Sequence, residues 1–410
     1  MRPYKVLLFI ACVMAILGTI YFLFPEESDA PIAEAIVEQD TVEVADSVPE
    51  EKEKIVIPTV HVDSTTDSRY YLQAFYQSLA ESGSRVVRVL HYGDSQIEED
   101  RMTQQIREAL QIRYGGSGCG LMPLAQTIPN YTVKQQLYLN TRLVSPSNSL
   151  KRYMVYGPPS MQRRDGLYGA MGQMAVMNDS LVKGSEEVTA VCTPLIPTAQ
   201  YDRWKVFADS SVHYTISGDS VFLHGKGNVY GLSQESKTGV IVDNIPMRGC
   251  MGLVFTKMNR TQLETFYREQ NVRLIIMQFG GNAIPSNEKP GTIAAIVKGL
   301  REQVRHVHSC APEASILFIG PSDMLTQTDG EWQTYPLVPY MDRLLQKMAQ
   351  EEGIAYFSLF RWMGGAGSMK HWQEIGLAGA DGVHFHRVGA RKAGNAVADW
   401  ILGGIGELEN

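Results

Sequence analysis

The sequence predicts an α/β fold: a parallel sheet covered by helices on both faces, interrupted by an all-β insertion and preceded by one transmembrane helix. Three observations carry that expectation. Apolar strand-like runs alternate with helix-period segments early in the chain and again late in it, the pattern of βα units and so of a parallel sheet. Between those stretches, over about 125–240, short alternating segments are punctuated by Gly, Ser, Asp and Asn, which marks antiparallel strands. Ahead of both, residues 6–24 form an uncharged apolar run which, as a helix, is about long enough to cross a hydrocarbon core of roughly 30 Å.

Arg2 and Lys5 precede that run and Glu26, Glu27 and Asp29 follow it, an asymmetry that leaves the N-terminus in the cytoplasm and the rest of the chain outside. The run ends in Tyr21-Phe22-Leu23-Phe24-Pro25, without the small-x-small exit of a cleaved signal peptide, so residues 1–25 read as a cytoplasmic tip and an uncleaved anchor. Cys12 raises the question of a lipoprotein, but Phe9 stands where a lipobox needs a small aliphatic residue; Cys12 reads as a thiol in the membrane helix. Residues 26–66 are rich in Glu, Asp, Val, Ala and Pro and poor in aromatics. They cannot bury enough surface to fold alone and read as an extended, self-repelling acidic linker.

Folded sequence starts near Ser68, where Tyr70, Leu72, Phe75, Tyr76 and Leu79 recur at helical spacing. Residues 86–92 follow as an apolar, β-branched strand ending in Gly93-Asp94-Ser95. Met102, Ile106, Leu110 and Ile112 then mark a helix that stops at Gly115-Gly116. The alternation returns with strands at 272–279, 315–320 and 354–359 and helices at about 290–307, 337–352 and 388–402. Residues 67–124 and 241–410 therefore form one discontinuous α/β domain, and 125–240 a β-rich insert with segments such as Trp204-Lys205-Val206-Phe207 and Ser220-Val221-Phe222-Leu223.

At 410 residues the chain exceeds what one hydrophobic core usually organises, which agrees with more than one folded unit. With 44% hydrophobic residues, 20% charged residues and a net charge of -7, it has no electrostatic grip on a polyanion, so nucleic acid is excluded as a partner. Cys119, Cys192, Cys250 and Cys310 lie on the exported side, where pairing is permitted; spacing decides neither which of three connectivities would form nor whether the thiols stay free. His61, His91, His213, His224, His306, His308, His371 and His386 show no ligand spacing that would hold a metal.

The candidate chemistry begins at Gly93-Asp94-Ser95. A serine at the C-terminal end of a buried strand, opening a helix, lies on the edge where open α/β sheets hold their ligands, with its backbone N–H aimed where an oxyanion can sit. A hydroxyl is a poor nucleophile until an imidazole takes its proton, and the imidazole needs a carboxylate to hold its tautomer. Asp381-Gly382-Val383-His384 supplies both on one loop before the last helix, with His386 a rival base set two residues further on. Gly280-Gly281-Asn282 follows the 272–279 strand and offers a side-chain amide donor, and Gly249 offers a backbone one. His91, at the end of the first strand, packs near this edge without acting.

Together, Tyr92-Gly93-Asp94-Ser95-Gln96, Arg248-Gly249, Phe279-Gly280-Gly281-Asn282 and Asp381-Gly382-Val383-His384-Phe385 resemble the Ser, Gly, Asn and His blocks of the SGNH/GDSL hydrolase superfamily, over about 68–124 and 241–403. The resemblance implies an SGNH-type three-layer α/β/α parallel sheet with Ser95 as nucleophile, His384 as base and Asp381 as orienting acid. It also implies an oxyanion hole of Ser95, Gly249 and Asn282. Ala283 stands where many members carry Asp, outside the acyl-transfer machinery. A β-sandwich inserted between the first two blocks is similar to bacterial peptidoglycan O-acetylesterases, in which the insert is a carbohydrate-binding-like module. Arg361-Trp362-Met363-Gly364-Gly365 and Gly320-Pro321-Ser322-Asp323 resemble segments of the same group, although Trp362 itself reads first as core packing.

That likeness implies a serine ester hydrolase with no cofactor, acting on the O-acetyl groups of peptidoglycan or another cell-envelope polysaccharide. Its address would be the bacterial inner membrane, single-pass, with the catalytic domain on the periplasmic side. Two alternatives stay open: the same triad passing an acyl group to a polysaccharide hydroxyl, and a catalytically silent wall-binding protein in which the insert does the work.

Overall fold

A computed structural model describes residues 57–62, 67–124, 129–139, 142–143, 188–208, 210–225 and 229–404. The expected anchor at 1–25 and, apart from 57–62, the expected linker at 26–66 lie outside the described residues. Among the described residues no helix is long and apolar enough to cross a membrane.

Regular structure begins with Ser68–Leu72, Gln73–Ser78 and Leu79–Glu81, in which 3-10 turns flank a short α-helix. The tighter 3-10 winding alters the face expected from α-helical spacing: Leu72, Phe75, Tyr76 and Leu79 are buried, but Tyr70 is exposed. Strands then follow as β1 (Val86–Gly93), β2 (Gly120–Met122), β3 (Val133–Leu139), β4 (Arg142–Leu143), β5 (Val188–Pro194), β6 (Arg203–Ala208), β7 (Val212–Ser217), β8 (Ser220–Gly225), β9 (Val229–Glu235) and β10 (Gly239–Pro246). The chain closes with β11 (Val272–Gln278), β12 (Ser315–Ile319), β13 (Leu325–Thr328), β14 (Glu331–Thr334) and β15 (Ala355–Phe357), separated by helices of which Pro290–Cys310, Val338–Glu352 and Arg387–Gly403 are the longest.

One sheet is parallel throughout, in the order β10-β1-β11-β12-β15. Successive strand residues point to opposite faces, and both faces are apolar. Leu90, Tyr92, Ile275, Met277, Ile316 and Phe318 meet the helices Arg260–Glu269, Pro290–Cys310 and Val338–Glu352. Val87, Val89, Leu274, Ile276, Leu317 and Ile319 meet Gln73–Ser78, Thr103–Tyr114 and Arg387–Gly403. Helices on both faces make three layers and explain why β1, β11 and β12 read as mainly apolar runs.

Two antiparallel sheets, β2-β9-β6 and β4-β3-β5-β8-β7, enclose a separate core that includes Leu137, Ala190, Cys192, Val221, Leu223 and Leu232. The first of their strands, β2, is at Gly120–Met122, ahead of position 125, and the last, β9, ends at Glu235. The parallel edge strand β10 follows at once. Its sequence, Gly-Val-Ile-Val-Asp-Asn-Ile-Pro, carries a charge in mid-strand and gave no strand expectation.

That charge has a buried partner. Arg88 of β1 is fully buried and donates to both carboxylate oxygens of Asp243 in β10, at 3.0 and 2.8 Å, and to Glu235 of β9. Glu235 also receives Arg203 and Lys205 of β6, each at 2.8 Å, and Asp243 accepts the backbone N–H of Leu121 in β2 at 2.8 Å. Burial alone would raise the Glu235 pKa, but Arg88 and Lys205 outweigh it and hold the carboxyl at about 2. The antiparallel strands are thus fastened to the parallel sheet by charge as well as apolar contact. Cys119, Cys192, Cys250 and Cys310 are all buried free thiols.

Candidate active site

Gly93 ends β1 where Ile97 folds back over it; a Cβ there would lie 3.0 Å from the Ile97 Cδ1. Asp94 is extended and its Oδ1 accepts the Gln96 N–H at 3.0 Å, capping a 3-10 helix, Ser95–Asp100, that starts on the serine. As the first residue of that helix, Ser95 has a backbone N–H with no acceptor inside it. Glu99 and Asp100 both adopt left-handed backbone, φ 63°, before the helix Thr103–Tyr114 begins. Asp100 holds that turn through a bidentate pair with Arg107 at 2.5 and 3.1 Å, and also accepts from the Thr132 hydroxyl at the start of the insert.

Asp381 and His384 share a turn that the carboxylate itself closes. Asp381 Oδ1 accepts the N–H groups of Val383 and His384, each at 3.0 Å, and its Oδ2 lies 2.7 Å from His384 Nδ1. The opposite ring nitrogen, Nε2, lies 2.8 Å from Ser95 Oγ. With the carboxylate accepting from Nδ1–H, Nε2 is left as the acceptor for the serine hydroxyl. Burial raises the Asp381 pKa, but the bonds from the His384 ring and from the His384 and Val383 N–H groups prevail and keep it below its usual value. The Gln96 amide crosses between the two loops and donates to the Val383 carbonyl at 2.6 Å, so the serine helix and the histidine loop are tied directly.

Asn282 follows β11. Its amide donates to Asp94 Oδ2 at 3.0 Å and to the Cys250 carbonyl at 3.3 Å. Gly249 sits one residue from Cys250 on an exposed turn after β10, with φ +70°, and that turn is fastened to the serine strand by Met247 N–H donating to the Gly93 carbonyl at 2.7 Å. Its neighbour Arg248 forms a bidentate pair with the buried Glu98, at 2.8 and 2.5 Å, joining the Gly249 turn to the helix of Ser95. Ser95, Asn282 and His384 line one cavity of about 70 Å³, whose described lining does not include Gly249. That is far below the roughly 300–1,000 Å³ of pockets for drug-sized ligands, and suits a small acyl group.

Two further ionisable groups lie at this edge. Asp94 is buried, and desolvation pushes its pKa up to about 6 despite the bond from Gln96, the charge of His384 and the bond from Asn282. His91 is fully buried between Gln278 Oε1, 3.1 Å from Nε2, and Thr103 Oγ1, 2.9 Å from Nδ1. Burial lowers its pKa to about 4, so it is neutral and structural at ordinary pH. His386 instead stands at the N-cap position of the last helix with no side-chain hydrogen bond to it, and its N–H donates to the Leu377 carbonyl at 2.9 Å. Trp362 packs edge-on to Trp372 and beside Phe357. Gln96, Glu98 and the Asp94–Asn282 bond carried no local signal in the sequence, because their partners are distant along the chain.

No family model matches the sequence, and no curated protein matches it. Among solved structures, a peptidoglycan O-acetylesterase superposes with a TM-score of 0.64 at 18% identity, covering 85% of this chain and 99% of that one. A carbohydrate acetylesterase from Sinorhizobium meliloti is similar at 18% identity and a TM-score of 0.30, over 40% of this chain and 79% of that one. An acetyl xylan esterase is similar at 12% identity and a TM-score of 0.28, over 40% and 80% of the two chains. The first of these likenesses shows the architecture: the chain has the SGNH hydrolase fold.

Proposed function

We propose that this chain, with the SGNH hydrolase fold, is a serine esterase that removes O-acetyl groups from a cell-envelope polysaccharide, peptidoglycan foremost, through an acyl-Ser95 intermediate. The observation that carries the chemistry is the unbroken line of hydrogen bonds from Ser95 Oγ through the His384 ring to Asp381, at 2.8 and 2.7 Å. His384 Nε2 takes the Ser95 proton as Oγ attacks the ester carbonyl, and Asp381 steadies the imidazolium that forms. The Ser95 and Gly249 N–H groups and the Asn282 amide serve the oxyanion. For Asn282 this means exchanging its longer bond, to the Cys250 carbonyl, for one to the substrate oxygen. His384 then protonates the departing sugar oxygen, and the same residue activates water to release acetate from Ser95.

The small cavity beside Ser95 favours acetyl over a long acyl chain. The polysaccharide assignment draws on the fold shared with a peptidoglycan O-acetylesterase and on the β-rich insert. In this reading residues 6–24 anchor the chain in the bacterial inner membrane, and the catalytic part works on the periplasmic side. The test is acetate release from isolated, O-acetylated peptidoglycan by the full chain beside the Ser95→Ala variant. Release by the wild type alone is expected; no release by the wild type, while it still cleaves an aryl acetate, would remove peptidoglycan as the substrate.

A further inference from the structure

Of the five tryptophans in the chain, Trp204, Trp362, Trp372 and Trp400 each pack against another aromatic ring. Trp332 does not: it is 39% exposed and makes no ring contact among the described residues. It stands on the two-stranded ribbon β13–β14, where it and Leu325 are the only large apolar side chains. A ribbon of this kind gains little from an indole left in water, so packing offers no reason for one there.

The register shows which way it faces. Asp329 and Gly330, with φ of 53° and 83°, make a tight two-residue hairpin turn that pairs Gln327 with Trp332 and Leu325 with Thr334. Side chains alternate along a strand, so Trp332 and Gln327 share the face of Leu325 and Thr334. That face is the one against the catalytic loop. Leu325 N–H donates to the Gly382 carbonyl at 2.9 Å, and Gly382 has no room for a side chain because a Cβ would lie 2.8 Å from the Leu325 Cβ. Thr334 fixes the second strand, donating to Asp323 at 2.9 Å and accepting the Gly367 N–H at 2.8 Å. Trp332 is thus roughly 7 Å along the ribbon from Leu325, whose partner Gly382 is two residues from His384. Ser322 and Met324, just before the ribbon, line the cavity of Ser95.

We propose that Trp332 is the stacking platform for a pyranose ring of the polysaccharide, next to the ring whose ester is cleaved. The inference rests on the reading of the site as a polysaccharide esterase. A flat, exposed indole matches the C–H face of a sugar, and its cross-strand neighbour Gln327 brings an amide that can both donate to and accept from hydroxyls. The pairing of an apolar plate with one amide on a rigid ribbon gives orientation without a deep pocket.

The test compares the full chain with Trp332→Ala and Trp332→Phe, measuring kcat/KM on an aryl acetate and on soluble O-acetylated glycan strands prepared from peptidoglycan. The ratio of the two, strands over aryl acetate, is expected to fall about ten-fold in Trp332→Ala, through KM on the strands, and to recover most of its value in Trp332→Phe. An unchanged ratio in Trp332→Ala, whether both activities hold or both fall together, overturns the platform. Aryl acetate turnover without any strand turnover by the wild type overturns instead the polysaccharide reading on which it rests.

Discussion

The parallel sheet and the antiparallel insert bury their residues in different ways. β1 is buried at every position and so is β12, because helices cover both faces. In the insert, β5 and β8 alternate between buried and accessible positions, and β7 is exposed beyond Val212. The first region has no free face, so its chemistry is confined to the strand ends, where short turns are pinned by side chains such as Asp94, Gln96 and Asp381. In the second, β9 is buried throughout, but β5 and β8 keep one face accessible to solvent. Substitution should therefore be costly in the first, nearly free on the open face of the second, and worst at the buried charges that join them.

The junction should show the largest effect on stability. Arg88→Met would leave Asp243 and Glu235 buried without their shared cation, and a loss of about 3–5 kcal/mol is expected from urea unfolding of the full chain. Unfolding at the wild-type midpoint would mean that apolar contact alone joins the insert to the sheet.

Asp94 tests the pinned strand end. Its folded pKa of about 6 lies above the roughly 3.9 of an unfolded aspartate, so the folded chain holds the proton more tightly. Stability from this group is then fully present below about pH 4 and is lost as pH rises through 6. Asp94→Asn removes that loss. Its stability relative to wild type should rise by up to about 3 kcal/mol between pH 4 and pH 8, while esterase activity falls because Asn282 loses a charged acceptor. A difference that stays flat with pH would show that Asp94 is ionised throughout.

The smallest effect belongs to the open face of the insert. Thr215 on β7 is exposed and pairs with Phe222, on the face away from the core residues Val212 and Leu223, and Thr215→Val should change unfolding free energy by no more than about 0.5 kcal/mol. A loss several times larger would mean that β7 is covered in solution and would erase the contrast between the two regions.

Legibility in the sequence follows the same division. Strands buried on both faces announce themselves as continuous β-branched runs, and β11 and β12 begin at Val272 and Ser315 as their apolar runs do. β10 was invisible because Asp243 and Asn244 interrupt its pattern, and the arginine that makes a buried Asp243 tolerable stands 155 positions earlier. The ribbon β13–β14 was hidden by its polarity. At the site, residue types and their order along the chain were legible, since Gly-Asp-Ser and Asp-Gly-Val-His carry local turn chemistry. The separation of Ser95 from His384 was not, because 289 positions lie between them. Nor could spacing reveal that Asn282 donates to Asp94, or that Glu99 and Asp100 turn left-handed; both depend on partners supplied by other segments.

Whether Ser95 carries the acyl group is read from the rate of acetate release from an aryl acetate by the full chain and by Ser95→Ala, with acid-quenched wild type digested to locate an acetylated peptide. The expected result is a loss of several orders of magnitude in kcat and acetylation on the peptide containing Ser95. Acetate release by Ser95→Ala at the wild-type rate would contradict it.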